Sequence, residues 1–375
     1  MFNICSRTIA KYSIRAAVGT TALSFGTATY YRPLPHTIES PSTDRKDASF
    51  CSEEHPYFTR EKTPFLLSIA QSLSIGCTTL LIRLFMNTYG EYNIKNDEHY
   101  QHFLELVLGG DGRQEANQAL ITVSNHRSLF DDPGVVSCLL PLWVGLQPKY
   151  NRWGICSQEY CFADALPALV KGYVGAGQVL PIERGGGIDQ RLLKDFASLV
   201  QKGEWCHIFP EGGVWQWNEL GGRGRFNVVE EKCNTVKKSK LKWGVGKLIA
   251  HARVRPRVVP FAHVGMENLL PQDRLTRKTY LKEKIIGGEP LKLSIQFGAE
   301  ILFDDLIEEH EAKYGPLRKF DDMNKDDKSF VSTETEKELY KKIALRVENH
   351  LEPLARDVVV LNKEYKLSRN MTTSK

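Results

Sequence analysis

Neither a C-x-x-C pair nor an H-x-x-x-H clip occurs in the 375 residues. A zinc site would have to be assembled wholly from distant residues, and no metal is expected. The eight cysteines, at 5, 51, 77, 138, 156, 161, 206 and 233, are too scattered for a disulfide scaffold and read as buried or incidental thiols. A G-x-S-x-G elbow is also missing, which removes the hydrolases built on one. Charge imbalance is slight: 50 basic against 45 acidic residues leave +5. That is too mild to argue for nucleic acid, and no nucleic-acid motif accompanies it, though it is compatible with an anionic membrane surface. A mean hydropathy of -0.33 excludes a polytopic membrane protein but not one attached segment. What is present is a globular composition, 42% hydrophobic and 25% charged, ample for a core.

Acids are absent from residues 1–38, where Arg7, Lys11, Arg15 and Arg32 stand among nine Ser or Thr. An acid-poor, Arg- and Ser-containing N-terminus reads as a mitochondrial or plastid targeting region, with mitochondria the expected destination. Residues 39–62, rich in Pro, Ser and charge, read as a linker. Residues 63–82 then carry no charge at all. A helix of that length spans about 30 Å, the thickness of a bilayer core. Phe65, Ile69, Leu73, Gly76 and Leu80 fall at helical spacing on one side, while Ser68, Gln71, Ser72 and Thr79 lie largely elsewhere. That pattern favours a helix seated in the membrane interface over a spanning one, and the membrane-associated segment is placed at 63–90.

Short apolar runs at 119–123, 206–209 and 257–262 end in Pro-, Gly- or Asn-containing turns. Helical patterns over 135–143, 188–201 and 243–252 separate them. The alternation predicts an α/β fold with a mostly parallel central sheet and covering helices, its chemistry at the carboxyl ends of strands. Residues 318–328 read as a solvated loop. Leu339, Ile343, Val347 and Leu351 predict a packing helix over 334–351, and 361–375 reads as a loose tail.

Four segments concentrate polar residues at predicted strand ends. In Val123-Ser-Asn-His-Arg-Ser-Leu-Phe-Asp-Asp-Pro133, His126 and Asp131 are five residues apart, about 140° around an α-helix. Only a turn ahead of an Asp132-Pro133 helix start lets the carboxylate reach the imidazole. Such an Asp fixes the tautomer while the other ring nitrogen removes a proton. The second segment, 177–184, ends in Arg184 before three glycines and suits a phosphate clamp. In the third, His207-Ile-Phe-Pro-Glu-Gly-Gly213, a buried-looking strand delivers Glu211 onto a turn at Gly212, to bind a hydroxyl or pair with an Arg. The fourth, Val258-Val-Pro-Phe-Ala-His-Val-Gly265, has Pro260 ending a strand ahead of an apolar wall.

In this order, H-x4-D, a block ending in Arg, F-P-E-G and an apolar block with Pro, the chain resembles the glycerophospholipid acyltransferase superfamily over roughly residues 119–305. The resemblance is strongest to its transacylase branch. It implies a CoA-independent transacylase that moves a fatty acyl chain between a phospholipid and a lysophospholipid, remodelling cardiolipin without a cofactor. It further implies that His126 is the general base and Asp131 its orienting partner. Arg184 would hold a headgroup phosphate, Glu211 and Gly212 would position the acceptor, and Pro260 would wall the acyl pocket. Ser128 is read as a turn hydroxyl. The acyltransferase domain is expected over 91–305 and a C-terminal helical extension over 306–375. The setting would be the mitochondrial membrane interface facing the intermembrane space, with self-association left open. An acyl-CoA-dependent lysophospholipid or glycerol-phosphate acyltransferase is the alternative. Residues 213–242 depart from the pattern as an aromatic, basic and glycine-rich insert.

Overall fold

A computed structural model describes residues 65–109, 112–214, 216, 241–272, 279, 290–323 and 329–373. The targeting region, the linker and nearly all of the 213–242 insert lie outside the described residues.

The first element, α1 (Phe65–Tyr89), leads without a break into β1 (Gly90–Ile94). Next comes α2 (Glu98–Leu108), started by the Asp97 side chain accepting from the Tyr100 N–H and ended at Gly109 with φ +75°. Strand β2 (Leu120–Ser124) is buried throughout, as a run of Leu, Ile, Thr and Val in a parallel sheet should be. After a helical turn at Asp131–Val135 come β3 (Gly154–Ser157), α3 (Ala168–Ala176) and β4 (Val179–Ile182). Helix α4 (Arg191–Gln201) buries Leu192, Leu193, Phe196, Ala197, Leu199 and Val200 and precedes β5 (Trp205–Ile208). The rest comprises α5 (Gly244–Ala250), β6 (Arg257–Val264), β7 (Leu291–Phe297), α6 (Asp304–Tyr314) and the long α7 (Glu334–Thr373).

Five strands form the main sheet in the order β1-β7-β6-β2-β5. Strands β2, β5 and β6 are parallel, β7 is antiparallel to β6, and β1 is parallel to β7. The parallel pair β3–β4 extends the sheet beyond β5 through Trp153, whose N–H donates to Trp205 O at 2.7 Å and whose O accepts from His207 N–H at 2.8 Å. One face, with Ile121, Val123, Cys206 and Val258, is covered by α4, α5 and α7; Leu339, Ile343, Val347 and Leu351 are buried there. The other, with Leu120, Trp205, Val259, Phe261 and Phe297, packs on Phe103 and Leu106 of α2. The carboxyl ends of β2, β5 and β6 share one edge of the sheet. Because β1 runs opposite to them, it starts at that same edge, and so α1 ends there.

Helix α1 meets the body with a mixed side, where buried Leu67, Ala70, Ile75 and Met86 are joined by hydrogen-bonding hydroxyls. Ser74 Oγ donates to Tyr173 O at 2.9 Å, Thr78 Oγ1 bonds the Tyr173 hydroxyl at 2.6 Å, and Thr79 Oγ1 donates to Gly145 O at 3.2 Å. Gln71, Ser74 and Thr79 are buried, while Phe65 (77% exposed), Leu66, Leu80, Leu81 and Leu84 face outward. By length and composition α1 could also cross a bilayer.

Several expectations are corrected. Cys156 and Cys161 form a disulfide, because a helical turn after β3 brings their Cα atoms to 6.1 Å; Cys77, Cys138 and Cys206 are buried thiols. The helix expected over 135–143 breaks before Pro141, which lacks the N–H a continuing turn would use. Asp132 makes no capping bond; its carboxylate pairs with buried Arg152. Pro260 does not end its strand but sits within β6. Its carbonyl accepts from Gly298 N–H at 2.9 Å, so its missing N–H falls on the β7 side, one residue before that pairing begins at Phe261. Phe320 and Met323 of the expected solvated loop are fully buried against α4 and α7. The expected tail continues α7, with Asn362 Nδ2 donating to Lys292 O at 2.9 Å and Arg369 pairing with Glu91.

Candidate active site

Strand β2 delivers Asn125, His126, Arg127 and Ser128 to the carboxyl edge of the sheet, and the chain then folds back into the turn that holds Asp131. The carboxylate organises this loop. Asp131 Oδ2 accepts from the Arg127 N–H at 2.6 Å and the Ser128 N–H at 2.8 Å, and it lies 2.9 Å from His126 Nδ1. Asp131 is fully buried. Burial by itself would raise its pKa, but the fields of His263 and His126 and the Ser128 N–H outweigh it and hold the carboxyl below its ordinary value. An ionised carboxylate on Nδ1 makes that nitrogen the N–H donor. Nε2 is thereby the basic atom of the ring, which is 18% exposed and stacked on Phe209 at 4.1 Å.

Glu211 arrives from the turn after β5. Its Oε1 accepts the His126 N–H at 2.8 Å, and the residue is buried. The carboxylate expected to position an acceptor therefore has one oxygen committed to the backbone of the base. Gly212 takes φ +66°, and a Cβ there would meet Lys242 Cγ at 2.9 Å, so only glycine fits the turn.

The other two sequence candidates are not brought to this cluster. Arg184 is exposed in the loop after β4, its guanidinium 5.2 Å from the ring of Tyr160 in the disulfide loop. Strand β4 stands three strand steps from β2, by way of β3 and β5, roughly 14 Å at normal sheet spacing. A long arginine side chain covers about half of that. Pro260 projects to the opposite face of the sheet, beside Gly298 and Leu354, because alternate residues of β6 alternate faces.

Residues that escaped the sequence reading complete the site. Arg127, next to the base, places Nε 3.1 Å from Glu267 Oε1 and donates from Nη2 to Gln216 O at 3.1 Å. Glu267 in turn accepts the Gly265 N–H at 2.7 Å, so one arginine ties the histidine loop to the end of β6. Arg152 ties Asp132 to Gly177 O. His207 is buried beneath, Nδ1 to Thr122 Oγ1 at 2.9 Å, and desolvation holds its pKa well down. Among the described residues no cluster of His, Cys, Asp and Glu is able to hold a metal ion.

Residues 92–264 match the acyltransferase family model. A tafazzin of Drosophila melanogaster is 30% identical over 198 residues, 53% of this chain and 44% of that protein. A tafazzin of Saccharomyces cerevisiae is 25% identical over 338 residues, 80% of each chain. Over these residues the chain is similar to acyltransferases of the tafazzin type. An N-acylphosphatidylethanolamine synthase of Arabidopsis thaliana is 31% identical over 187 residues, 48% of this chain and 58% of that one. The chain thus spans about half the length of two of the curated relatives it matches. The acyltransferase match begins inside β1 and ends on the last residue of β6, so it contains the His126 loop, the Glu211 turn and the strand that closes beside them.

Proposed function

We propose that this acyltransferase moves a fatty acyl chain from a phospholipid to a lysophospholipid without CoA, remodelling cardiolipin at the mitochondrial membrane interface. One observation carries the reading: His126 Nδ1 is held 2.9 Å from a buried carboxylate while Nε2 is left for a substrate. Nε2 takes the proton of the lysophospholipid hydroxyl as its oxygen bonds to the donor ester carbonyl carbon. When the tetrahedral adduct collapses, the old ester C–O bond breaks and the departing alkoxide recovers the proton from His126. Asp131 keeps the tautomer and stabilises the imidazolium between the two steps. One ester is exchanged for another, so neither thioester nor metal is required by the energetics.

Glu211 serves this reaction by fixing the peptide of the base. Arg184, on its distant loop, suits the phosphate of an extended headgroup and not one bonded next to the reacting hydroxyl. Phe209, Leu129 and Phe130 supply apolar surface on the His126 side, the role sought for Pro260. The outward apolar stripe of α1 supports attachment to a lipid surface, and residues 1–38 would direct the chain to mitochondria.

The deciding experiment incubates the purified full chain with acyl-labelled phosphatidylcholine and lysocardiolipin, with chelator present and CoA absent. Label appearing in cardiolipin is expected. A strict need for acyl-CoA would replace this reading with the acyl-CoA-dependent one. The Arabidopsis relative's name adds a parallel arm with phosphatidylethanolamine, where label reaching the amine would move the acceptor from oxygen to nitrogen.

A further inference from the structure

His263 lies in β6 among Val258, Val259, Phe261, Ala262 and Val264, all buried, where an imidazole is costly unless its polar atoms are used. Its main chain is already fixed without the ring. The His263 N–H donates to Asn125 Oδ1 and its carbonyl accepts from Asn125 Nδ2, both at 2.9 Å. The ring adds a third link, Nε2 to Asn125 O at 2.9 Å. A carbonyl only accepts, so Nε2 carries the proton and Nδ1 is bare. The same Nε2 stands 3.6 Å from Asp131 Oδ2, the oxygen that His126 Nδ1 meets at 2.9 Å. Two imidazoles therefore flank one carboxylate, and only one of them is open to solvent.

We infer that His263 is a positioning residue of the reaction: its Nε2–H holds the peptide that carries His126 and shares the Asp131 carboxylate with it. This rests on the reading of His126 as the base. An N–H dipole facing the carboxylate takes up part of its negative potential and so tempers the field that Asp131 exerts on His126. The ring is suited to that duty because burial lowers its pKa against the pull of Asp131 and Glu267, and Nδ1 has no acceptor for a second proton. The other charged and titratable groups around the pair are Arg127 on the loop, Glu211 and His207 from the β5 side, and Arg152 below Asp132. Strand β7 opposes His263 with uncharged Ile295.

The test compares His263→Phe, which fills the space without a donor, with His263→Gln, which restores an N–H. Acyl transfer on phosphatidylcholine vesicles is followed across pH, with melting curves for each variant and His126→Ala as control. Without the donor the carboxylate presents more negative potential, and the imidazolium of His126 persists to higher pH. The acid limb of kcat/KM is expected to move up by on the order of half a pH unit in His263→Phe. KM for the lysophospholipid should be unchanged, and His263→Gln should return the limb towards its original place. A pH-independent loss in both variants, or an unmoved limb in folded His263→Phe, would overturn the inference. Should His263→Phe not fold, histidine-selective 15N spectra of the unaltered chain decide: His263 protonated on Nε2 alone through the active range is expected, and an Nδ1–H tautomer rejects the proposal. Activity surviving in His126→Ala would instead reject the base, a result separable from any tautomer.

Discussion

At His126 one ring nitrogen is occupied by a carboxylate and the other is available, and substitutions should respect that asymmetry. His126→Ala is expected to lower acyl transfer about 10²–10⁴-fold with an unaltered melting temperature, since the partly exposed ring supports little of the core. Asp131→Asn should be nearly as severe, because an amide on Nδ1 can stabilise the wrong tautomer and cannot balance an imidazolium. It should also cost stability, as the Arg127 and Ser128 N–H groups then meet a weaker acceptor. The His126–Asp131 pair was legible because five residues ending in Asp-Pro leave few ways to close the loop. His263 was not: within Val-Val-Pro-Phe-Ala-His-Val it is a single polar residue in an apolar run, and its partners lie 138 and 132 positions back along the chain. The reading of Glu211 foresaw a partner but not that the partner would be a main-chain N–H.

Among the elements, α7 illustrates burial at work. Gly246 of α5 lies so close to it that a Cβ would stand 2.7 Å from the Tyr340 backbone, and His251 Nε2 bonds the Tyr340 hydroxyl while Nδ1–H donates to Arg318 O at 2.6 Å. Desolvation depresses the His251 pKa from 6.5 to about 4. The unfolded chain therefore binds a proton at this position between those limits and the folded chain does not. Stability contributed here is complete above pH 6.5 and falls on acidification towards pH 4, by up to about 3 kcal/mol. Melting curves over that range should show the decline, and His251→Gln should flatten it. In α1 the periodicity of Phe65, Ile69, Leu73, Gly76 and Leu80 marked the outward side. That Ser74 and Thr79 would be bonded inward among Leu67, Ala70 and Ile75 was not readable, since it depends on Tyr173 and Gly145, far along the chain. Replacing Leu80 and Leu84 together by Lys should weaken vesicle binding at least about tenfold in flotation, with unchanged folding.

For the whole molecule, the parallel order of β2, β5 and β6 was visible in the alternation of apolar runs and helical patterns. The reversal at β7 was not, because strand direction depends on connections and leaves no mark in a short apolar run. Yet that reversal has a consequence for kinetics. It turns β1 round, so α1 ends at the edge of the sheet where His126 stands, and on the proposed function a helix resting in the lipid surface would keep the catalytic edge level with it. Donor and acceptor would then reach the base by lateral diffusion, in two dimensions. The quantity governing rate is expected to be the mole fraction of each lipid in the bilayer, not its bulk concentration. Diluting both substrates with an inert, non-transferable ether lipid at constant bulk amount should slow transfer with the product of their surface fractions, whereas adding more vesicles of fixed composition should leave the saturated rate unchanged.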